Sequence, residues 1–189
     1  MSTLYSNADA TESSRVIIEE QTVAAAMFST VTIPSGYRTI DLILTGMRSP
    51  ASAYYDTIKL TLNGNTTDTD YKGILTGAVW STTGGVWAPG AYEFNTRPSE
   101  DIPAASSRAT DNQQVRVTLS DYDQTTYYKT VLGDRRGVLQ ESASNTYYFW
   151  NFQIINMFPS TAAITTVAFS LTSGEATLTT GRLQVVGYK

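Results

Sequence analysis

Carboxylates and aromatic rings are the residues of this chain that could do chemistry, because the sequence contains no cysteine and no histidine. That removes thiolate and imidazole nucleophiles, the commonest general base and the usual zinc ligands. Paired carboxylates remain, and cleavage of a glycosidic bond needs only two of them. The candidates are Glu100-Asp101 with Asp111, and Asp121 with Asp123. All stand beside Ser, Thr, Pro or Asn, where an Asp side chain serves the local backbone hydrogen bonds of a turn. A turn is the reading these contexts favour. In "NGNTTDTDYKG", Asp68 and Asp70 offer hard oxygen ligands for Ca²⁺, but the spacing is not that of an EF-hand loop and Lys72 closes the stretch. A solvated hairpin is expected there, so the chain is read as non-enzymatic, with no cofactor and no metal.

The aromatic residues carry more information. Trp80, Trp87 and Tyr92 lie in a Gly-rich stretch with Gly84, Gly85 and Gly90. Rings with an apolar body and a polar edge on such a stretch fit three uses: contact with another subunit or a capsid, capping of the protein's own core, and stacking on a sugar. In "NTYYFWNFQIIN" the residues Tyr148, Trp150, Phe152 and Ile154 share one face of a strand, and Tyr147, Phe149 and Ile155 the other. A strand apolar on both faces is covered on both sides, here by a loop or by another subunit. Arg135-Arg136 reads as a solvated turn beside Asp134, with the option of reaching a partner's carboxylates. The candidate partner-binding residues are therefore Trp80, Trp87, Tyr92, Tyr147, Phe149, Arg135 and Arg136.

The elements that must position these groups are strands. With 189 residues, 41% of them hydrophobic and only 16% charged, the chain is long enough to bury a core as one domain. Its abundance of Thr, Tyr and Val suits a pleated surface. In "TIDLILTGMR", Ile40, Leu42 and Leu44 share one face and Asp41, Ile43 and Thr45 the other, the period of two that marks a sheet with one buried side. "TIKLTLNGN" repeats it with Ile58, Leu60 and Leu62 and ends at Asn63-Gly64, a strong hairpin signal. Further strands are predicted over 15–20, 115–119, 126–132, 146–156, 164–171 and 182–188, with no long helix. Residues 73–95 and 96–113 read as long irregular segments, the second rich in Pro and Ser. About eight or nine antiparallel strands without helices predict an all-β fold, a jelly-roll-like β-sandwich over residues 15–189, preceded by a polar arm over 1–14.

The formal net charge of -4, with no basic run longer than Arg135-Arg136, argues against nucleic acid as a partner. No stretch approaches the ~20 apolar residues of a membrane span, and the opening "MSTLYSNADATESSR" has neither the basic nor the apolar region of a signal peptide. Synthesis in a cytoplasm is the expectation.

The order Phe28, Ile33-Pro34, Tyr37-Arg38, Ile40, Leu42, Gly46 and Arg48-Ser49 resembles the N-terminal half of a group of tailed-bacteriophage virion proteins. There a Phe-x-x-Ile-Pro-x-x-Tyr-Lys/Arg-x-Leu segment leads into a strand ending in Arg-Ser. "LTLNGNTTDTDYKG", "TLSDYDQTTYYKT" and the closing "ATLTTGRLQVVGYK" are similar to later segments of that group, in the same order. The resemblance implies a β-sandwich component of a phage particle. It would be a capsid decoration or cement protein, a homo-oligomer expected to be a trimer, binding the major capsid protein or other virion proteins. The alternative it leaves open is a tail fibre or receptor-binding component that recognises host glycans.

Overall fold

The computed structural model describes residues 15–48, 55–67, 70–82, 86–94, 103–106, 112–140, 147–171 and 177–189. The arm over 1–14 lies outside them, as do Glu100, Asp101, Asp111 and Asp68. Within the described residues the chain is all-β. Twelve strands follow one another: β1 (Arg15–Ala26), β2 (Val31–Thr32), β3 (Thr39–Arg48), β4 (Tyr55–Leu62), β5 (Lys72–Ser81), β6 (Val86–Phe94), β7 (Pro103–Ser106), β8 (Asn112–Ser120), β9 (Lys129–Gln140), β10 (Tyr147–Phe158), β11 (Thr166–Leu171) and β12 (Leu178–Tyr188).

Every pairing is antiparallel. Eight strands form one sheet in the order β1-β12-β3-β8-β9-β10-β5-β6, and four form another in the order β2-β11-β4-β7. Setting aside the pairs β5–β6 and β9–β10, the other eight strands make two rows of four, β1-β12-β3-β8 and β2-β11-β4-β7. Between consecutive members of this set the chain changes sheet every time except from β4 to β7. The two set-aside pairs both extend the larger sheet beyond β8.

One core lies between the rows. Ile40, Leu42 and Leu44 of β3, Val115, Val117 and Leu119 of β8, and Leu183 and Val185 of β12 face Ile58, Leu60 and Leu62 of β4 and Val167, Phe169 and Leu171 of β11. Period-two alternation along each strand is what assembles this layer, and each fully buried Leu or Ile contributes roughly 1.5–3 kcal/mol. A bulge adjusts the end of β3, where the register slips between Thr180 and Arg182 of β12 and Gly46 takes φ 60°. The slip turns Met47 into the core, which strict alternation would have left on the other side.

Pro34 has no N–H for strand pairing and Ser35-Gly36 suits a turn, and the chain turns there. Gly36 adopts φ 88°, and the buried Tyr122 pins the segment from the β8–β9 connection. Its hydroxyl donates to the Pro34 carbonyl at 2.6 Å and accepts from the Tyr37 amide at 3.3 Å. The neighbouring rings sit on glycines. Phe28 meets Phe169 edge-on at 5.8 Å and lies over Gly181, while Tyr37 lies over Gly187 so closely that a Cβ there would fall 2.3 Å from the ring.

Four expectations need correction. Within residues 73–95, read as irregular, the described residues form β5 and β6, which pair antiparallel. The 126–132 strand is instead β9, starting at Lys129 and running on to Gln140, so Arg135-Arg136 lies inside a strand and not at a turn. Part of the Pro- and Ser-rich segment is strand, as β7 and the start of β8. Finally, Asn63-Gly64 makes its turn, with φ 50° and 70° and the Asn65 amide donating to the Leu62 carbonyl at 2.9 Å, but no hairpin follows. The Asn63 side chain instead bonds the 163–166 segment, accepting from the Thr165 amide and donating to the Ala163 carbonyl, each at 2.8 Å. Tyr71 then fills the backbone positions a partner strand would use, accepting from the Leu62 amide at 3.1 Å and donating to the Asn65 carbonyl at 2.9 Å. β5 leaves for the other sheet.

Candidate functional site

The extension β9-β10-β5 is where both faces of the sheet are apolar. Residues directly opposite one another in antiparallel strands point to the same side, so the registers define rows across it. On the inner side, Val131, Ile154 and Leu75 continue the core, and Trp150 and Phe152 lie beyond them, half-buried. Arg135 belongs to this inner side. It is 1% exposed, and its guanidinium carbon sits 4.4 Å from the centre of the Trp150 ring. Gly133 and Gly137 flank it on the same face of β9 and leave the room that a long side chain and two rings require.

On the outer side the rows alternate in character. Trp80, Phe149 and Val138 form one row and Ile74, Ile155 and Leu132 another. Trp80 is 43%, Phe149 44% and Ile155 54% exposed. Between these two lie polar rows, Ala78-Asn151-Arg136 and Thr76-Gln153-Asp134. Tyr147 lies beyond the first apolar row and Met157 beyond the second, both exposed as well. Phe149 and Ile155 are six residues apart on β10, about 20 Å at the rise of an extended strand. Single exposed apolar residues are ordinary, whereas here they stand in two cross-strand rows on either side of a polar centre.

The structure thus gathers Trp80, Tyr147, Phe149 and Arg136 on one face and sends Arg135 to the other. Trp87 and Tyr92 are opposite Val79 and Leu75 in the β6 backbone, and their side chains lie outside the described residues. Sequence reasoning missed Ile74, Leu132, Val138 and Asp134. Ile74 had a signal, since it is apolar in a strand whose other face carries Leu75 and Val79.

Polar groups elsewhere have structural partners. Asp41 lies on the outer side of β3 yet is fully buried; Arg116 pairs with it at 2.5 Å and Thr118 donates to it at 2.7 Å. That hydrogen bond to Asp41 raises the Arg116 pKa, and burial raises that of the adjacent Tyr188. On β12 and β1, Gln184 and Arg182 donate to Glu20 at 2.6 and 3.1 Å. The Gln184 hydrogen bond is the main cause of that carboxyl's lowered pKa. Lys129, 2% exposed, donates to the carbonyls of Gln124, Tyr127 and Thr161, the last two at 3.2 and 3.3 Å. It closes the 121–128 loop from inside.

Asp121 begins a tight turn in that loop, with φ 50° and its carbonyl accepting from the Gln124 amide at 3.2 Å. Asp70 accepts from the Asn65 side chain at 2.8 Å. No cluster of three or more acidic residues able to hold a metal ion occurs among the described residues, nor does any helix there have the length and apolarity to cross a membrane. No known protein family, curated protein or solved structure matches the chain.

Proposed function

We propose that this protein is a non-enzymatic structural component of a tailed-phage particle that works by docking its outer β9-β10-β5 face onto other virion proteins. The observation that carries the reading is that face itself. Val131, Ile154 and Leu75 already join the core from the opposite side of these strands, so Trp80, Phe149, Ile74, Ile155 and Leu132 are not needed on the surface to complete it. Supporting it is the strand order. Two rows of four, β1-β12-β3-β8 and β2-β11-β4-β7, suit a jelly roll, an architecture that serves capsid and lectin domains alike.

The favoured role is capsid decoration or cement. The chemistry is burial of apolar surface against sites that exist only on an assembled shell, and a protein that binds the assembled state stabilises it by linkage. Exposed aromatic and aliphatic rows on either side of a polar centre that holds Arg136 and Asp134 suit a protein partner. A stained gel of purified particles tests the role. A cement protein appears in copy numbers comparable to the shell protein, and a tail component in a handful. Particles lacking the chain, or the chain lacking particles while it releases reducing sugar from a polysaccharide, would end the proposal.

A further inference from the structure

We propose that the outer β9-β10-β5 face also pairs with the same face of a second copy of this chain, around a two-fold axis that runs along the Gly77–Phe152–Arg135 row. This rests on the reading of that face as a docking surface and adds the identity of one occupant. The argument is the symmetry of its pattern. Measured from the Gly77–Phe152–Arg135 row, the polar rows Ala78-Asn151-Arg136 and Thr76-Gln153-Asp134 lie one residue to either side. The apolar rows Trp80-Phe149-Val138 and Ile74-Ile155-Leu132 lie three residues to either side.

A two-fold axis in the plane of the interface exchanges the rows at equal distance while keeping each strand over its own copy. Trp80 then meets Ile74 of the second copy, Phe149 meets Ile155, and Val138 meets Leu132. Arg136 meets Asp134 in the same operation, twice per dimer, because an isologous interface uses each contact in both directions. Apolar falls on apolar, Arg136 on Asp134 and Asn151 on Gln153, the self-complementarity that an isologous interface needs. Arg116 stands directly across from Asp134 in the sheet but is already held by the buried Asp41. Two sheets packed face to face sit about 10 Å apart, a gap that side chains of these sizes fill by interdigitating. The matched region covers three strands.

The test is sedimentation velocity on the purified full chain over a concentration series, with charge variants checked for an unchanged strand signal by circular dichroism. The wild type should move from monomer to dimer. Arg136→Asp sets two carboxylates against each other at both contacts, and Asp134→Arg sets two guanidinium groups against each other there, so each alone should weaken the dimer by at least about tenfold. Mixing the two variants should restore a heterodimer, since unlike charges can then face each other across the interface. Should Asp134→Arg fail to fold beside Arg116, loss of the dimer in the surface variant Ile155→Lys carries the test. A wild type that stays monomeric, a dimer indifferent to all three substitutions, or single variants that do not complement on mixing would overturn the proposal. A monomer that still loses particle binding on Ile155→Lys would overturn it while leaving the proposed function standing.

Discussion

The two halves of the large sheet treat their outer faces differently. Over β12-β3-β8 the outer side sets Ile43 and the buried Val186 among polar groups that hold one another, Asp41 by Arg116 and Thr118 and beside it Glu20 by Arg182 and Gln184. Over β9-β10-β5 the outer side is Trp80, Phe149, Ile74, Ile155 and Leu132, open to water. The same strand-to-strand ladder underlies both. The two halves therefore differ in the side chains on the face away from the core and not in their backbone pairing.

The sharpest way to break this comparison is to truncate one apolar residue in each half. Leu42→Ala, in the fully buried layer of β3, should cost about 2–5 kcal/mol in urea denaturation, whereas Ile155→Ala in the dilute monomer should stay within about 0.5 kcal/mol. Comparable losses would mean the extension's outer face is already buried within one chain. Gly77→Ala probes how tightly the extension itself is built, because the added Cβ would fall 2.4 Å from both the Asn151 carbonyl oxygen and the Phe152 ring. Backbone cannot move aside cheaply, and a loss of about 1–3 kcal/mol is expected from thermal melts.

On the β12-β3-β8 side, Asp41→Ala removes the acceptor shared by Arg116 and Thr118. The expected cost is about 1–3 kcal/mol, toward the lower end because Arg116 is half exposed and regains water. Chemical denaturation at low and high salt would measure it.

Tyr122→Phe should be the mildest of these changes, about 1 kcal/mol from two lost hydrogen bonds to the Pro34–Tyr37 turn. It also alters the alkaline limb. Burial raises the Tyr122 pKa above the ordinary tyrosine value, so the folded state holds this proton longer than the unfolded chain does. The resulting stability is complete below about pH 10 and is lost as pH climbs through the folded-state pKa. Tyr122→Phe should flatten that decline in part, leaving the share due to Tyr188, which burial shifts the same way. An unchanged slope would show that the Tyr122 hydroxyl is not held neutral by the fold.

Much of the fold was legible where neighbours in sequence are neighbours in structure. The alternation of Ile40, Leu42 and Leu44 announced β3, and Pro34-Ser35-Gly36 announced its entry turn. The two apolar faces of residues 147–155 announced the apolar rows on both sides of β10, but the cover expected on the outer side is not there in the single chain, where Tyr147, Phe149 and Ile155 are exposed. What stayed hidden depended on distant partners. Asp41 looked like a solvated outer residue, yet its burial requires Arg116, 75 residues away. Gly133-Asp134-Arg135-Arg136-Gly137 carries the composition of a turn and became strand because β8 and β10 pair with it on both sides. The alternation Val131, Gly133, Arg135, Gly137 was the available clue, with small residues flanking the one long side chain that folds under Trp150. The Gly-rich 73–95 segment was misread for the same reason, since the pairing of β5 with β10 fixes strand geometry that local composition disfavours.

The central claim, that another protein surface covers the outer face of β9-β10-β5 in the working state, is tested most directly by oxidative footprinting of the chain free and within purified particles. Trp80, Phe149 and Met157 should label readily in the free chain and be protected in the particle, with Met47 protected in both because it is already buried. Equal labelling of Trp80, Phe149 and Met157 in the two states, or protection confined to the polar β1-β12-β3 side, would contradict the account.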